Sequence, residues 1–136
     1  MNKHDQTLLI RAALEARRRA VAPFSRFPVG AALLTSSGHI VTGVNVESAS
    51  YGLTCCAERV ALFRALTSGE RDFVAIAVVA AVEGGPTPCG ACRQLLAEYA
   101  SDATVWTAHP DHLDRGREFS VGALLPAAFL DFQPDK

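Results

Sequence analysis

The sequence predicts an α/β fold in three layers, α/β/α, and three features carry that expectation. Strand patterns alternate with helix patterns after an opening hairpin, which places helices against a shared sheet. Residues 73–82 form a near-continuous apolar run rich in valine and alanine. Such a run marks a strand buried on both faces, and therefore central. Near the N-terminus an apolar face recurs at three-to-four spacing, the signature of a helix lying on that sheet.

Taken in order, Asp5 is placed to cap a helix through Leu8, Leu9, Ala12, Ala13, Ala16 and Ala20, with Arg11, Glu15, Arg18 and Arg19 left for water. It should stop before Pro23. The run Arg17, Arg18, Arg19 reads as a solvated face with cations near the helix C-terminus rather than as a phosphate patch. Residues 29–35 read as a buried strand, 36–38 as a tight turn and 39–46 as a β-branched return strand. His39 at that turn reads as a surface residue, and His4, His109 and His112 have no better metal context. Before the hairpin, Pro23 and Pro28 stiffen a loop holding Phe24 and Phe27. Either a ring faces a ligand or both plug the seam between helix and sheet.

Asn45 and Glu47 lie two apart, on one side of a strand's end. An amide and a carboxylate so placed either fork onto the vicinal hydroxyls of a sugar or line a solvent-facing edge. Thr54 is the expected N-cap of a helix over 55–66 that ends near Ser68 and Gly69. Turn formers at 83–88 lead into a second helix over 89–99, followed by a short strand at 104–108. Residues 109–118 have charge and turn chemistry without periodicity and read as loop. Residues 121–130, apolar but broken by Pro126, read as a short closing helix.

A chain of 136 residues, 49% hydrophobic and 20% charged, fits one soluble domain spanning 1–136 with its own core. No apolar run approaches the roughly 20 residues of a membrane helix, and the first residues lack a signal-peptide layout, so a cytoplasmic protein with no membrane partner is expected. A formal net charge of -1 provides no basic stripe for a nucleic-acid partner. A small, uncharged or weakly charged substrate fits better.

The chemistry concentrates in the cysteines. Cys89 and Cys92 form a C-x-x-C pair at the mouth of one predicted helix, while Cys56 and Glu58 fall in the first turn of another. Three thiolates and an acid/base describe a zinc site with one position open, and because structural zinc is closed by four protein ligands the count points to hydrolysis. A zinc dication with three thiolates carries a net charge of about -1, which weakens its power to acidify water. Arg59 is the expected donor to a cysteine sulfur that offsets it, with Arg93 in reserve. Glu58 would be the proton carrier, and the known zinc-deaminase signature that this pattern resembles implies that it delivers protons to a ring nitrogen and a leaving amine as water attacks an amidine-like carbon, with a carbonyl at Thr87 or Cys89 accepting from the amino group. A thioredoxin-like redox pair would leave Cys56 and Glu58 without a role. A closed four-cysteine structural site would need adjacent Cys55 and Cys56 on one ion, so Cys55 reads instead as a packed thiol.

These residues resemble the cytidine deaminases of the small, homotetrameric type, and Cys56-Ala57-Glu58 with Pro88-Cys89-Gly90-Ala91-Cys92 is the all-cysteine form of the known zinc-deaminase signature. Ser25-Arg26-Phe27-Pro28-Val29-Gly30, Gly43-Val44-Asn45-Val46-Glu47-Ser48 and Leu124-Leu125-Pro126-Ala127-Ala128-Phe129 extend the likeness. The resemblance implies a central mixed five-stranded sheet, one Zn2+ per subunit on Cys56, Cys89 and Cys92, and Glu58 as proton shuttle. It implies cytidine and 2′-deoxycytidine as substrates in pyrimidine salvage. Phe27 would lie against the base, Ala57 would offer backbone to the base edge, and Asn45 and Glu47 would hold the ribose 3′-hydroxyl. Ala49, Tyr51 and Phe129 would reach a neighbouring subunit's site. One departure is Ser48, where the family commonly has a second asparagine. Blasticidin-type deaminases share the cysteine motifs, but the Phe27 loop and the Asn45, Glu47 pair favour a nucleoside. The apolar tail 121–132 is too apolar for a monomer to cover, so Phe129 is expected to dock on a neighbour in a homotetramer.

Overall fold

Residues 1–130, which this computed structural model describes, alternate helix and strand. In chain order the elements are α1 (Lys3–Arg17), β1 (Gly30–Thr35), β2 (Ile40–Val44), a 3-10 turn (Tyr51–Leu53), α2 (Ala57–Thr67), β3 (Phe73–Val79), α3 (Gly90–Tyr99), β4 (Thr104–His109), β5 (His112–Ser120) and α4 (Val121–Leu124). The five strands form one mixed sheet in the order β2-β1-β3-β4-β5, with β3 in the middle as its apolar run requires. β3 and β4 are parallel, and the other pairings are antiparallel.

The period-two alternation of strands sorts the core into two sides. Ala31, Leu33, Ile76, Val78 and Val105 face α2 and α3, packing with Ala61, Leu62, Ala65 and Leu96. Ala32, Ala75, Ala77, Val79 and Ala108 face α1, meeting Leu9, Ile10 and Ala13. This is the three-layer arrangement the sequence predicts. Small residues let the layers approach closely. A Cβ on Gly43 would sit 2.4 Å from the Ala61 nitrogen, and one on Gly30 would sit 2.0 Å from the Ala13 oxygen, so each glycine is a contact point between strand and helix.

The topology also decides where the helices begin. β2 and β3 both run antiparallel to β1, hence in the same direction, and β4 runs with them. α2 follows β2 and α3 follows β3, so both helices start from the same edge of the sheet, at the carboxyl ends of parallel strands.

Several local expectations change. The N-cap of α1 is Asn2, whose side chain accepts from the Asp5 N–H at 2.8 Å, because an Asx oxygen three residues ahead reaches that donor first. Thr54 does not cap α2; its hydroxyl accepts from the Ser48 N–H at 3.0 Å, and Cys56 takes the cap position. β2 ends at Val44, and Val46 instead pairs with Val21 and Cys55. The apolar run of β3 stops at Val79 rather than continuing to residue 82. The largest correction is at 109–118, expected as loop: β5 occupies most of it, pairing Val105 with Phe119 and Thr107 with Arg117. Its residues are almost all exposed, so an edge strand held by backbone pairing leaves no apolar alternation to read. The closing helix is only Val121–Leu124, and Phe132 of the apolar tail lies outside the described residues. No helix among the described residues is long and apolar enough to cross a membrane.

Candidate metal centre and active site

Cys56 is the N-cap of α2 and Cys89 the N-cap of α3, both with extended backbone and neither spending its side chain on a capping bond. Their thiols are therefore free to turn toward each other, and Cys92, one turn into α3, joins them. The Sγ atoms of Cys56 and Cys89 are 3.7 Å apart, and all three sulfurs lie within 4.8 Å of one another. Two sulfurs each about 2.3 Å from one ion at a tetrahedral angle are about 3.8 Å apart, so the cluster fits zinc. Cys55 is outside it. Its backbone bonds Val46 in both directions, at 3.0 and 2.9 Å, and burial pushes its thiol up.

Three close sulfurs cannot all ionise without a cation. A hydrogen bond from Cys92 is the main cause that brings Cys56 down to about 5, while the same bond, with burial, pushes Cys92 up. The two helix N-termini favour negative charge at this point, where a dication would bind. Arg59 donates from Nη2 to the Cys56 sulfur at 3.7 Å. Its Nε is buried with no hydrogen-bond partner among the described residues. Arg93 is not on a sulfur. Its Nε donates to the Pro88 carbonyl at 2.7 Å and its Nη1 to the Leu124 carbonyl at 3.0 Å, fixing the residue just before Cys89.

Glu58, two residues beyond Cys56 on α2, is only 6% exposed. Burial pushes its carboxyl up to about 7, with its own backbone N–H pulling it back and the Cys56 charge adding to the rise. A carboxyl near neutrality both takes and gives protons at physiological pH. Ala57, fully buried beside it, opens the helix.

Asn45 and Glu47 hold the loop that carries Phe27. The Asn45 Oδ1 accepts from the Val29 N–H at 2.9 Å, and its Nδ2 donates to the Phe27 carbonyl at 2.9 Å. Glu47 accepts from the Phe24 and Ser25 N–H groups, both at 3.0 Å, and from the Ser25 hydroxyl. Those bonds, the Ser25 hydroxyl first, hold the Glu47 carboxyl below the usual range. The next residue of the loop, Arg26, donates its N–H to the Ala22 carbonyl and sits at φ 55°, a left-handed conformation uncommon for a non-glycine residue. Beside the loop, Phe24, Ser25, Glu47, Ser48, Tyr51 and Thr54 line a cavity of about 380 Å³. Ala49 and Tyr51 face outward, Tyr51 at 84% exposure, and so does Phe129 at 67%.

The fold thus gathers Cys56, Cys89, Cys92, Glu58 and Arg59 at one point, brings Phe27, Asn45 and Glu47 into one bonded loop, and leaves Ala49, Tyr51 and Phe129 largely exposed among the described residues. Sequence reasoning missed Ser25. Its only signal was a serine two residues before Phe27, a spacing that lets its hydroxyl accept from the Phe27 N–H at 3.0 Å.

Residues 3–108 match the family model described as the cytidine and deoxycytidylate deaminase zinc-binding region. The chain is 50% identical to a cytidine deaminase of Halalkalibacterium halodurans over 126 residues, 92% of this chain and 94% of that one. Its fold superposes on the crystal structure of cytidine deaminase from Burkholderia pseudomallei with a TM-score of 0.85 and 48% identity, covering 95% of this chain and all of that one. A blasticidin-S deaminase of Bacillus cereus is 35% identical over 57% of this chain and 61% of its own length.

Proposed function

Because this chain belongs to the family of zinc-binding cytidine and deoxycytidylate deaminases, we propose that it hydrolyses cytidine and 2′-deoxycytidine to the corresponding uridines and ammonia, a cytoplasmic step of pyrimidine salvage. What supports this reading most is one juxtaposition: three cysteine sulfurs at a zinc-sized spacing with a buried, near-neutral carboxyl on the same helix turn. Zinc held by Cys56, Cys89 and Cys92 would supply a Lewis acid that acidifies the attacking water.

Glu58 takes a proton from that water and passes protons to the ring nitrogen and to the departing amine. One water is consumed, a carbon–oxygen bond forms, the exocyclic carbon–nitrogen bond breaks, and the amine leaves as ammonia. Arg59 offsets the thiolate charge that would otherwise blunt the acidification. Phe27 lies against the base and the Ala57 backbone meets its edge. Asn45 keeps one lone pair and one amide hydrogen beyond its two loop bonds, and Glu47 has room beside or in place of the Ser25 hydroxyl, so both can take the ribose 3′-hydroxyl.

The substrate is a nucleoside rather than a polynucleotide, since a net charge of -1 argues against the basic stripe that a nucleic-acid binder carries. The working unit is a homotetramer. Phe24, Tyr51, Leu53 and Phe129 are 57%, 84%, 73% and 67% exposed, more large apolar surface than a solitary small domain usually leaves in water. Ala49, Tyr51 and Phe129 would then complete a neighbour's pocket.

The test is turnover by zinc-loaded protein on a panel of cytidine, deoxycytidine, the nucleotide, free cytosine and blasticidin S, followed by ultraviolet absorbance and ammonia release. Conversion of the two nucleosides is expected. Preference for blasticidin S or for the nucleotide would overturn the substrate, and a zinc-loaded protein inert on all five would overturn the reaction.

A further inference from the structure

The helix that carries two of the three sulfurs also grips the tail that carries Phe129. Directly after Cys92, Arg93 donates to the Leu124 carbonyl at 3.0 Å, and Gln94 donates from Nε2 to the Phe129 carbonyl at 3.0 Å. The Gln94 amide is itself held one turn on, by the Glu98 carboxylate at 2.7 Å. Between the two clamped carbonyls the chain turns through Ala127 at φ 55°, a left-handed conformation that disfavours any residue with a Cβ. Leu125 and Ala128 pack on the core on either side of that residue, while the Phe129 ring is left 67% exposed. The left-handed turn at Ala127 and the two clamped carbonyls together set the direction in which the chain carries the Phe129 ring.

We infer that Gln94 is a positioning residue: with Arg93 it locks the backbone at Phe129 to α3, so that the ring is presented in a set direction toward whatever pocket it enters. The inference rests on the reading of Phe129 as part of a substrate pocket. Its physical content is separate, because the lock is a property of the tail whatever the ring meets. A ring whose approach is set in advance loses less freedom when it closes on a ligand, and that gain appears as tighter binding with the chemical step unchanged.

Hydrogen–deuterium exchange on zinc-loaded Gln94→Ala reads the lock directly. Faster exchange is expected in peptides spanning 125–130, with 57–67 unchanged; wild-type exchange at 125–130 would overturn the inference. Gln94→Glu keeps the shape without the N–H donor and should reproduce the alanine result, and wild-type exchange there would equally overturn it. Kinetics read the consequence. Losing one hydrogen bond of ordinary net worth should raise KM about fivefold with kcat and zinc content unchanged. In a Phe129→Ala background the same Gln94→Ala change should add nothing. A fall in kcat or in bound zinc would make Gln94 a support of the metal helix and overturn the assignment, as would an unchanged KM in a protein whose KM does respond to Phe129→Ala. If Phe129→Ala itself leaves KM unaltered, the substrate role of the ring fails, and exchange at 125–130 alone decides whether the lock exists.

Discussion

Arg59 lies one turn along α2 from Cys56, with its Nη2 3.7 Å from the sulfur that the same helix presents at its N-cap. Helical spacing of three residues brings the guanidinium and the sulfur to one face, so the two come from a single local segment. Arg59→Gln should retain zinc, since three sulfurs remain, but lower kcat about tenfold and move the acid limb of the pH–rate profile upward. Metal analysis and the profile check it together, and an unmoved profile would remove Arg59 from the reaction.

Glu58→Gln should keep both zinc and fold yet lose at least about a hundredfold in kcat, because it preserves shape while removing proton transfer. Stopped-assay rates on metal-loaded protein decide this, and near-normal turnover would sink the mechanism.

The same residue makes a stability prediction for zinc-free protein. Its carboxyl has an ordinary value of 4.5 and a folded value of about 7, so the folded state holds the proton more tightly than the unfolded one. The Glu58 contribution to stability is therefore fully present below pH 4.5, falls as pH rises toward 7, and is constant above that. Relative to Glu58→Gln, wild-type protein should lose on the order of 3 kcal/mol across this window. Urea denaturation of both proteins at pH 5 and 7.5 measures it, and a gap that does not change with pH would mean that Glu58 is not a buried proton carrier.

Glu47 behaves oppositely, its carboxyl being held below the usual value by Ser25 and Phe24. What it contributes to the loop is present above pH 4.5 and disappears as pH falls through its lower folded value. Amide exchange at Phe24 and Ser25 should quicken below that point and be fast at all pH values in Glu47→Gln. Equal protection in the variant would show that the loop is held by other contacts.

Cys89→Ala should lose zinc and activity together, since two sulfurs do not hold the ion as three do. Stoichiometric zinc in that variant would mean that the ligand set is wrong.

Phe129→Ala should raise KM about tenfold and weaken association, the loss expected when an apolar ring is withdrawn from a pocket. Sedimentation at assay concentration and steady-state kinetics read the two effects, and an active wild-type monomer would overturn the shared site.

The sequence by itself determined the features set by local spacing. Cys89 and Cys92 separated by the two residues Gly90 and Ala91, Glu58 and Arg59 just after Cys56, and the apolar run at 73–82 each express a relation within one turn or one strand, and such relations survive without tertiary context. What only the tertiary structure decided is everything that depends on strand direction and pairing. Cys56 meets Cys89 at 3.7 Å because β2 and β3 both run opposite to β1, which puts the starts of α2 and α3 on one edge. β5 was invisible because an exposed edge strand is fixed by its backbone bonds to β4 and needs no apolar pattern. Asn45 and Glu47 were legible as a polar pair, but their grip on the Phe27 loop was not, since their partners lie some twenty residues earlier and only folding brings them within reach. The hold of Gln94 on Phe129 is of the same kind: a side chain of ordinary helix composition acquires its role from the carbonyl that the closing tail lays against it.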